Sequence, residues 1–348
     1  MLKWGIIGTG NIAHTFAKAL QVAKKGELVA VGSRSIATAE KFAQEFNVKH
    51  SFGSYNELLA FDQVDIVYIC TPHPQHYELA LTTAKAGKHM LIEKPMAMTE
   101  TQIKTILDTA KEHNLFVMEA YMYRCHPQTL KVVELIQSGA IGQVKLIRAN
   151  FSFDGRPLGP SSRLWRNELG GGAIMDIGGY PMSFCRLIAG VANDKSGAYS
   201  GGGANPIKVK ATGYIQPDTK VDEWSNASVE FEGNITAQLF TGIFADTDCS
   251  VEVLGSEGSL KVVNLWRPDL AVLGPVQIDL TEYGKETKVI PVELQETNLF
   301  AYEADAVADA IAQGQHECKY MNWQDTLGQA HAMDAWRKEI GLVYKEDQ

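Results

Sequence analysis

The stretch Trp4–Ala13, WGIIGTGNIA, constrains the fold of this chain more than any other. A short apolar run, Trp4 to Ile7, ends in Gly8-Thr9-Gly10-Asn11-Ile12-Ala13, and a helical pattern follows at once with Ile12, Phe16 and Leu20 on one face. Strand, glycine turn and helix N-terminus in this order are what a dinucleotide pyrophosphate needs. Gly8 lets the chain turn sharply, and Gly10 has no side chain to keep phosphates from the backbone. The amides of the helix start then face the negative charge. Ala13 stands where a third glycine often does and lets the helix sit close to its strand. Gly8, Thr9, Gly10, Asn11 and Ile12 are therefore the first candidate cofactor-binding residues.

At 348 residues the chain exceeds what one core usually holds, so two domains are expected. A formal net charge of −9 with no basic stripe argues against nucleic-acid binding. Only Lys3 precedes the first strand, without a long apolar segment or cleavage site, so no secretory signal is read. No apolar run approaches membrane-spanning length, so no membrane partner is expected. The five cysteines are far apart and lack a C-x-x-C pair, which reads as reduced thiols in a cytoplasmic protein. His73 and His76 have prolines between and before them and no third ligand nearby, so no metal site is expected.

Leu28–Val31 is a second short strand, followed by Gly32-Ser33-Arg34-Ser35. NAD binders commonly place an acid at this tip to hold the ribose 2′-hydroxyl. Here Ser33 and Arg34 stand there, and a guanidinium suits a 2′-phosphate. NADP is therefore preferred over NAD, although Arg34 stacked on adenine would serve either cofactor. A helix is expected over Ile36–Phe46, a strand over Val48–Phe52 and a short helix from Tyr55 to Leu59. Asp65–Cys70 is a buried type of strand ending in Thr71-Pro72-His73-Pro74-Gln75-His76, with a helix from about His76 to Ala86. Thr71 and Pro72 would border the nicotinamide ribose, while His76 would cap a helix or touch substrate. Met90–Glu93 is a further strand that sets Glu93 and Lys94 at ligand level, with Pro95 stiffening the exit. A helix over Thr99–His113 and a sixth strand over Leu115–Met118 complete a parallel, doubly wound sheet. Residues 1–120 thus read as an NAD(P)-binding Rossmann domain and 121–348 as a second α+β domain.

With Gly8-Thr9-Gly10, the Thr71-Pro72…His76 loop and Glu93-Lys94-Pro95, the chain resembles the glucose-fructose oxidoreductase/inositol dehydrogenase family. The likeness continues downstream. Met118–Pro127 resembles the family's crossover segment, Gly170–Pro181 its catalytic helix, and Gly255-Ser256-Glu257-Gly258 a turn in its second-domain sheet. Tyr180 resembles the dihydrodiol and sugar dehydrogenase branch, since inositol dehydrogenases usually have His there. The resemblance implies a two-domain NAD(P)-dependent oxidoreductase of sugars or other small polyols, often dimeric or tetrameric. It also marks Tyr121 and Arg124 of the crossover segment as substrate candidates.

A helix is read over Pro127–Ser138 and a strand over Val144–Phe153. The loop Asp154–Asn167 is rich in proline and arginine and carries a large indole, as loops that close over substrate often do. Trp165 would stack on a sugar or tuck against the core, and Arg163 or Arg166 would bond hydroxyls or phosphate. Gly170–Gly172 permits close backbone approach at the start of a helix over Asp176–Ala189, with Asp176 and Tyr180 on one face. Asp194–Asn205 reads as a flexible surface loop. From Ile207 the pattern becomes alternating strands, a large open, mostly antiparallel sheet, closed by helices over Leu299–Gln313 and Trp323–Ile340. In such a family this sheet usually supplies a homodimer or homotetramer interface.

Oxidation of a secondary alcohol needs a base for the hydroxyl proton while hydride leaves carbon. Free tyrosine, with a pKa near ~10, is a poor base at neutral pH, and a nearby ammonium lowers that value. Lys94 and Tyr180 are thus the expected acid–base pair, with Asp176 orienting the hydroxyl or Lys94; Lys94 as the proton carrier is the alternative assignment. Two other functions fit the fold: a nucleotide-sensing regulator without chemistry, and a glycoside hydrolase using bound cofactor in a closed redox cycle. A regulator tends to lose the lysine or the helix residue, and both are present.

Overall fold

The first apolar run becomes β1 (Leu2–Ile7), which passes through the glycine turn into α1 (Asn11–Leu20). Strands and helices then alternate: β2 (Gly26–Gly32), α2 (Ile36–Phe46), β3 (His50–Phe52), α3 (Tyr55–Leu59), β4 (Ile66–Ile69), α4 (His76–Lys85), β5 (His89–Glu93), α5 (Glu100–Glu112) and β6 (Val117–Ala120). The six strands are parallel in the order β3-β2-β1-β4-β5-β6. That is the Rossmann order, with ligands expected at the carboxyl ends of the strands where the order reverses between β1 and β4. Ile66, Val67, Tyr68 and Ile69 of β4 are wholly buried, as a central parallel strand covered on both faces requires. Phe16 of α1 stacks on Tyr68 with centroids 4.0 Å apart and meets Trp4 edge-on at 5.1 Å, which seats α1 on the sheet. The model is a computed structural model and describes residues 1–194, 202–268 and 275–348.

The second half opens with α6 (Pro127–Gln137), capped by His126 and started by a proline at its first position. It continues through β7 (Val144–Ser152), α7 (Gly179–Asn193), β8 (Lys208–Ile215), β9 (Asp222–Phe231), β10 (Ile235–Gly242), β11 (Val251–Gly255), β12 (Gly258–Val262), β13 (Gln277–Glu282) and β14 (Lys288–Pro291). These strands form one eight-stranded sheet in the order β14-β13-β12-β11-β7-β10-β9-β8, antiparallel throughout except for the β7–β10 pair. Alternation decides its faces: Ala227, Val229 and Phe231 of β9 are buried while Asn226, Ser228 and Glu230 are exposed. Helix α7 is buried on nearly every side, so its sequence is mostly apolar all round, with Ser183 and Arg186 as buried polar exceptions. The Arg186 guanidinium is wholly buried and donates to Asp325 Oδ1 at 2.5 Å and to Asn205 Oδ1 at 3.2 Å.

Two helices close the chain, α8 (Leu299–Ala312) and α9 (Trp323–Ile340). They divide between two units, Met1–Cys125 with Glu296–Trp323, and His126–Gln295 with Gln324–Gln348. Segment 296–323, grouped by sequence with the second domain, therefore belongs with the first unit. There α8 packs on α1 and on the turn Met122–Cys125, and Asp305 accepts from the amides of Lys24 at 3.0 Å and Lys25 at 2.9 Å.

The loop expected over Asp194–Asn205 lies partly outside the described residues, at 195–201. Its described end is held: the Ala204 amide donates to Arg186 O at 2.9 Å, and a Cβ on Gly203 would meet Asp325 Oδ1 at 2.6 Å.

Candidate active site

In the first unit the glycine turn has the geometry its residues demand. Gly8 has φ +113°, and a side chain there would crowd the Cys70 carbonyl at 3.2 Å. Gly10 caps α1 with only open space where a Cβ would stand. No side chain caps the α1 amides and no acid lies in its first turn, so the amides remain available to an anion. At the tip of β2, Ser33 is buried and Arg34 exposed, and the Ser35 side chain makes no cap bond at the start of α2. Burial raises the Tyr55 hydroxyl above its ordinary value, while Arg34 nearby pulls it down. At the end of β4, Thr71 Oγ1 is buried with no hydrogen-bond partner among the described residues. An unpaired buried hydroxyl costs about 1–3 kcal/mol, so this atom fits a ligand group. These three features, open Gly10, uncapped α1 and orphaned Thr71, fit a dinucleotide held by Gly8, Thr9, Gly10, Asn11, Ile12, Ser33, Arg34, Thr71 and Pro72.

Two of the expected cofactor residues make well-defined contacts within the protein. His76 is wholly buried, with Nδ1 2.9 Å from Pro95 O and Nε2 2.8 Å from Thr71 O. The ring begins α4 yet reaches back to the β4 loop and across to the β5 loop, so it ties the two together. Glu93 accepts from the Tyr68 hydroxyl and, at 3.2 Å, from the Lys94 amide. Beyond it, the Met96 amide donates to buried Glu119 Oε1 at 2.9 Å. Lys94 thus leaves β5 on a segment fixed from both sides and is itself only partly buried. Burial and the facing Glu93 push the Tyr68 hydroxyl well above its usual range, and burial followed by Glu93 does the same to the Glu303 acid on α8. The substrate candidates Tyr121 and Arg124 are 2% and 0% exposed, and the turn that carries Arg124 packs against α8.

In the second unit, three short 3-10 turns, Arg156–Leu158, Arg163–Trp165 and Asn167–Leu169, fold the arginine-bearing loop back on itself. Trp165 spends its indole N–H on Gly155 O at 3.3 Å, and Arg166 pairs with neighbouring Glu168 in solvent. The arginine that reaches the candidate site is Arg163, whose Nη2 donates to Asp176 Oδ1 at 2.6 Å. The helix expected from Asp176 starts as a π-turn, Ile174–Gly178, before α7 begins at Gly179. Single π-turns recur at functional sites, and here one carries Asp176 while α7 carries Tyr180. The extra residue in the turn changes the simple four-residue relation between them. Tyr180 is 6% exposed and lies edge-on to Phe151 at 5.3 Å and beside Trp266 at 5.9 Å. Trp266 is fixed by its N–H bond to Asn150 O at 2.8 Å. Phe151, Trp266 and the Arg163 contact leave no local sequence signal, since they join distant elements.

The family profile described as an oxidoreductase family with NAD-binding Rossmann fold matches residues 2–121, and the GFO/IDH/MocA C-terminal domain matches 129–261. This chain belongs to the GFO/IDH/MocA oxidoreductase family. Its first unit is accordingly an NAD-binding Rossmann domain and the protein an oxidoreductase of CH–OH groups. It is 32% identical to trans-1,2-dihydrobenzene-1,2-diol dehydrogenase from Danio rerio over 99% of both chains, and 28% identical to the Homo sapiens enzyme over 100% of this chain and 99% of that one. Among solved structures, a 3-ketoreductase from Actinomadura kijaniata, in complex with NADP and TDP-benzene, superposes with TM-score 0.85 at 28% identity, over 97% of this chain and 98% of that one. An aldose-aldose oxidoreductase from Caulobacter crescentus shares the fold, with TM-score 0.85 at 21% identity and 97% of each chain covered. No helix among the described residues is long and apolar enough to cross a membrane.

Proposed function

We propose that this member of the family is an NADP-preferring dehydrogenase or reductase of a secondary alcohol or ketone on a sugar, polyol or cyclic diol. The observation that carries the reading is Lys94, held at the carboxyl end of β5 by the Glu93 contact to its amide and by the His76 bridge to Pro95. A bound nicotinamide supplies or accepts the hydride. In this reading Lys94 stabilises the substrate oxygen and Tyr180 exchanges the proton. Asp176, oriented by Arg163, orients the hydroxyl or Lys94. The names of the full-length relatives, diol dehydrogenase and 3-ketoreductase, support the substrate class. Arg34 supports the choice of NADP. Five free thiols support a cytoplasmic setting. The outer face around Thr212, Asn226, Ser228 and Gln238 supports pairing of this sheet in a homodimer or homotetramer.

The test is steady-state turnover of NADP⁺ with a panel of dihydrodiols, aldoses and cyclitols, and of NADPH with the matching ketones. Net turnover is expected, and Lys94→Met and Tyr180→Phe each lose roughly 10²–10⁴-fold in kcat with cofactor affinity kept. Absence of net turnover with every substrate would favour a sensor or a closed-cycle hydrolase. Wild-type turnover by Tyr180→Phe would move the proton to Lys94.

A further inference from the structure

Asp222 opens β9, far in sequence from the turn that carries Asp176, and is wholly buried. Its Oδ2 accepts from the Ile174 amide at 2.8 Å, at the head of the π-turn. The Ala173 amide adds a further favourable contact to the same carboxylate. Oδ1 has no hydrogen-bond partner among the described residues and lies where a Cβ on Gly172 would stand, 2.2 Å away. Gly172, at φ +104°, makes room for this carboxylate.

The surrounding shell is built from several elements. The Tyr344 hydroxyl donates to Gly171 O at 2.5 Å, Thr241 Oγ1 to Ala173 O at 3.3 Å, and the Gly172 amide to Leu164 O at 2.9 Å. Only one of these contacts is a full charge placed against the turn's own amides, and that is Asp222.

We propose that Asp222 is a positioning residue whose carboxylate grips the first amides of the π-turn, fixes Asp176 and Tyr180, and makes turnover depend on its own charge. The proposal rests on the reading that Asp176 and Tyr180 act on substrate. The groups facing Asp222 are Arg337 of α9, which favours its charge, and Tyr344 of the C-terminal segment. Asp347 and Asp176 lie close enough to raise the Tyr344 hydroxyl as well. Arg337 is mostly committed elsewhere, to Asp334 at 2.6 Å and Asp347 at 2.9 Å. Burial outweighs the amide contacts and pushes the Asp222 carboxyl up to about 7. The grip is therefore at full strength above neutrality, where the acid is ionised, and weakens as pH falls and the carboxyl takes up a proton.

Asp222→Asn keeps an acceptor oxygen and removes the titration. Profiles of kcat and KM between about pH 5.5 and 9 for both proteins test the idea. Wild-type kcat is expected to fall below about pH 7, with cofactor KM unchanged. The variant is expected to lose that inflection and to run roughly ten- to a hundredfold slower at high pH, as a small displacement of catalytic groups does. A variant with wild-type kcat and the same inflection would overturn the role.

Hydrogen exchange of the segment 172–178 in wild type, corrected for the intrinsic pH effect, tests the grip without any substrate. Measured against the amides of β10, whose protection follows global stability, protection of 172–178 is expected to drop as pH falls through neutrality, and a pH-independent difference would overturn the proposal. If wild type turns over nothing, the reading of Asp176 and Tyr180 fails, and the exchange profile still decides whether Asp222 holds the turn. The same profile decides the case if the variant does not fold.

Discussion

Replacing Gly172 with alanine probes the turn most directly. The new Cβ would stand 2.2 Å from Asp222 Oδ1 and 3.2 Å from its Cγ, so the carboxylate must leave. Alanine at φ +104° also carries backbone strain of about 1–3 kcal/mol. Moving the carboxylate breaks the 2.8 Å bond to Ile174 and strands a buried amide and a buried acid. Leaving such a group unsatisfied costs about 1–3 kcal/mol each. The total comes to about 3–9 kcal/mol, well above the roughly 1 kcal/mol of an average substitution. Urea unfolding of Gly172→Ala, Asp222→Ala and the double variant measures it. Because the clash is with the Asp222 side chain, the double variant is expected to cost about 1–3 kcal/mol less than the two single changes together. A loss below about 1 kcal/mol for Gly172→Ala, or strict additivity, would refute the assigned contact.

Two further expectations follow from the charges. Arg34→Ala should weaken NADP roughly ten- to a hundredfold, the worth of a charge-assisted phosphate contact, and leave NAD unchanged; cofactor fluorescence titration measures both, and equal losses would assign Arg34 to the adenine instead. Asp222, near ~3.9 when unfolded and about 7 when folded, keeps its proton in the folded state over a window where the unfolded chain releases it. Folding stability contributed by this residue therefore falls as pH rises from about 4 to about 7, by up to ~4 kcal/mol. The stability of wild type relative to Asp222→Asn should decline across that window in denaturant melts, and a constant difference would contradict it.

The local parts of this protein are legible in its sequence. β1, the glycine turn and α1 rest on apolar periodicity and on glycines that only one geometry explains. The α9 bounds are those expected, Trp323–Ile340, for a helix of strong formers. What escapes is non-local. His76 meets carbonyls of two different loops, Arg163 crosses to Asp176, and Asp222 reaches Ile174 across 48 positions of sequence. None of these pairings leaves a periodic trace. The strands β13 and β14 escape for a different reason. They are short and mostly half-buried or exposed at one end of the sheet, so their alternation is weak. The π-turn depends on the glycines at 170–172 together with a cap from a distant strand, and only the glycines are visible in the chain.

The return of Glu296–Trp323 to the first unit has a consequence for inheritance. The polypeptide passes between the two units three times, at 125/126, 295/296 and 323/324, so no single cut separates them. A fragment ending at residue 125 would lack α8, leaving the apolar face of α1 and the Met122–Cys125 turn uncovered and the Lys24 and Lys25 amides without Asp305. The nucleotide-binding part is therefore not a portable cassette. Recombination within a gene for this chain would trade both halves or neither.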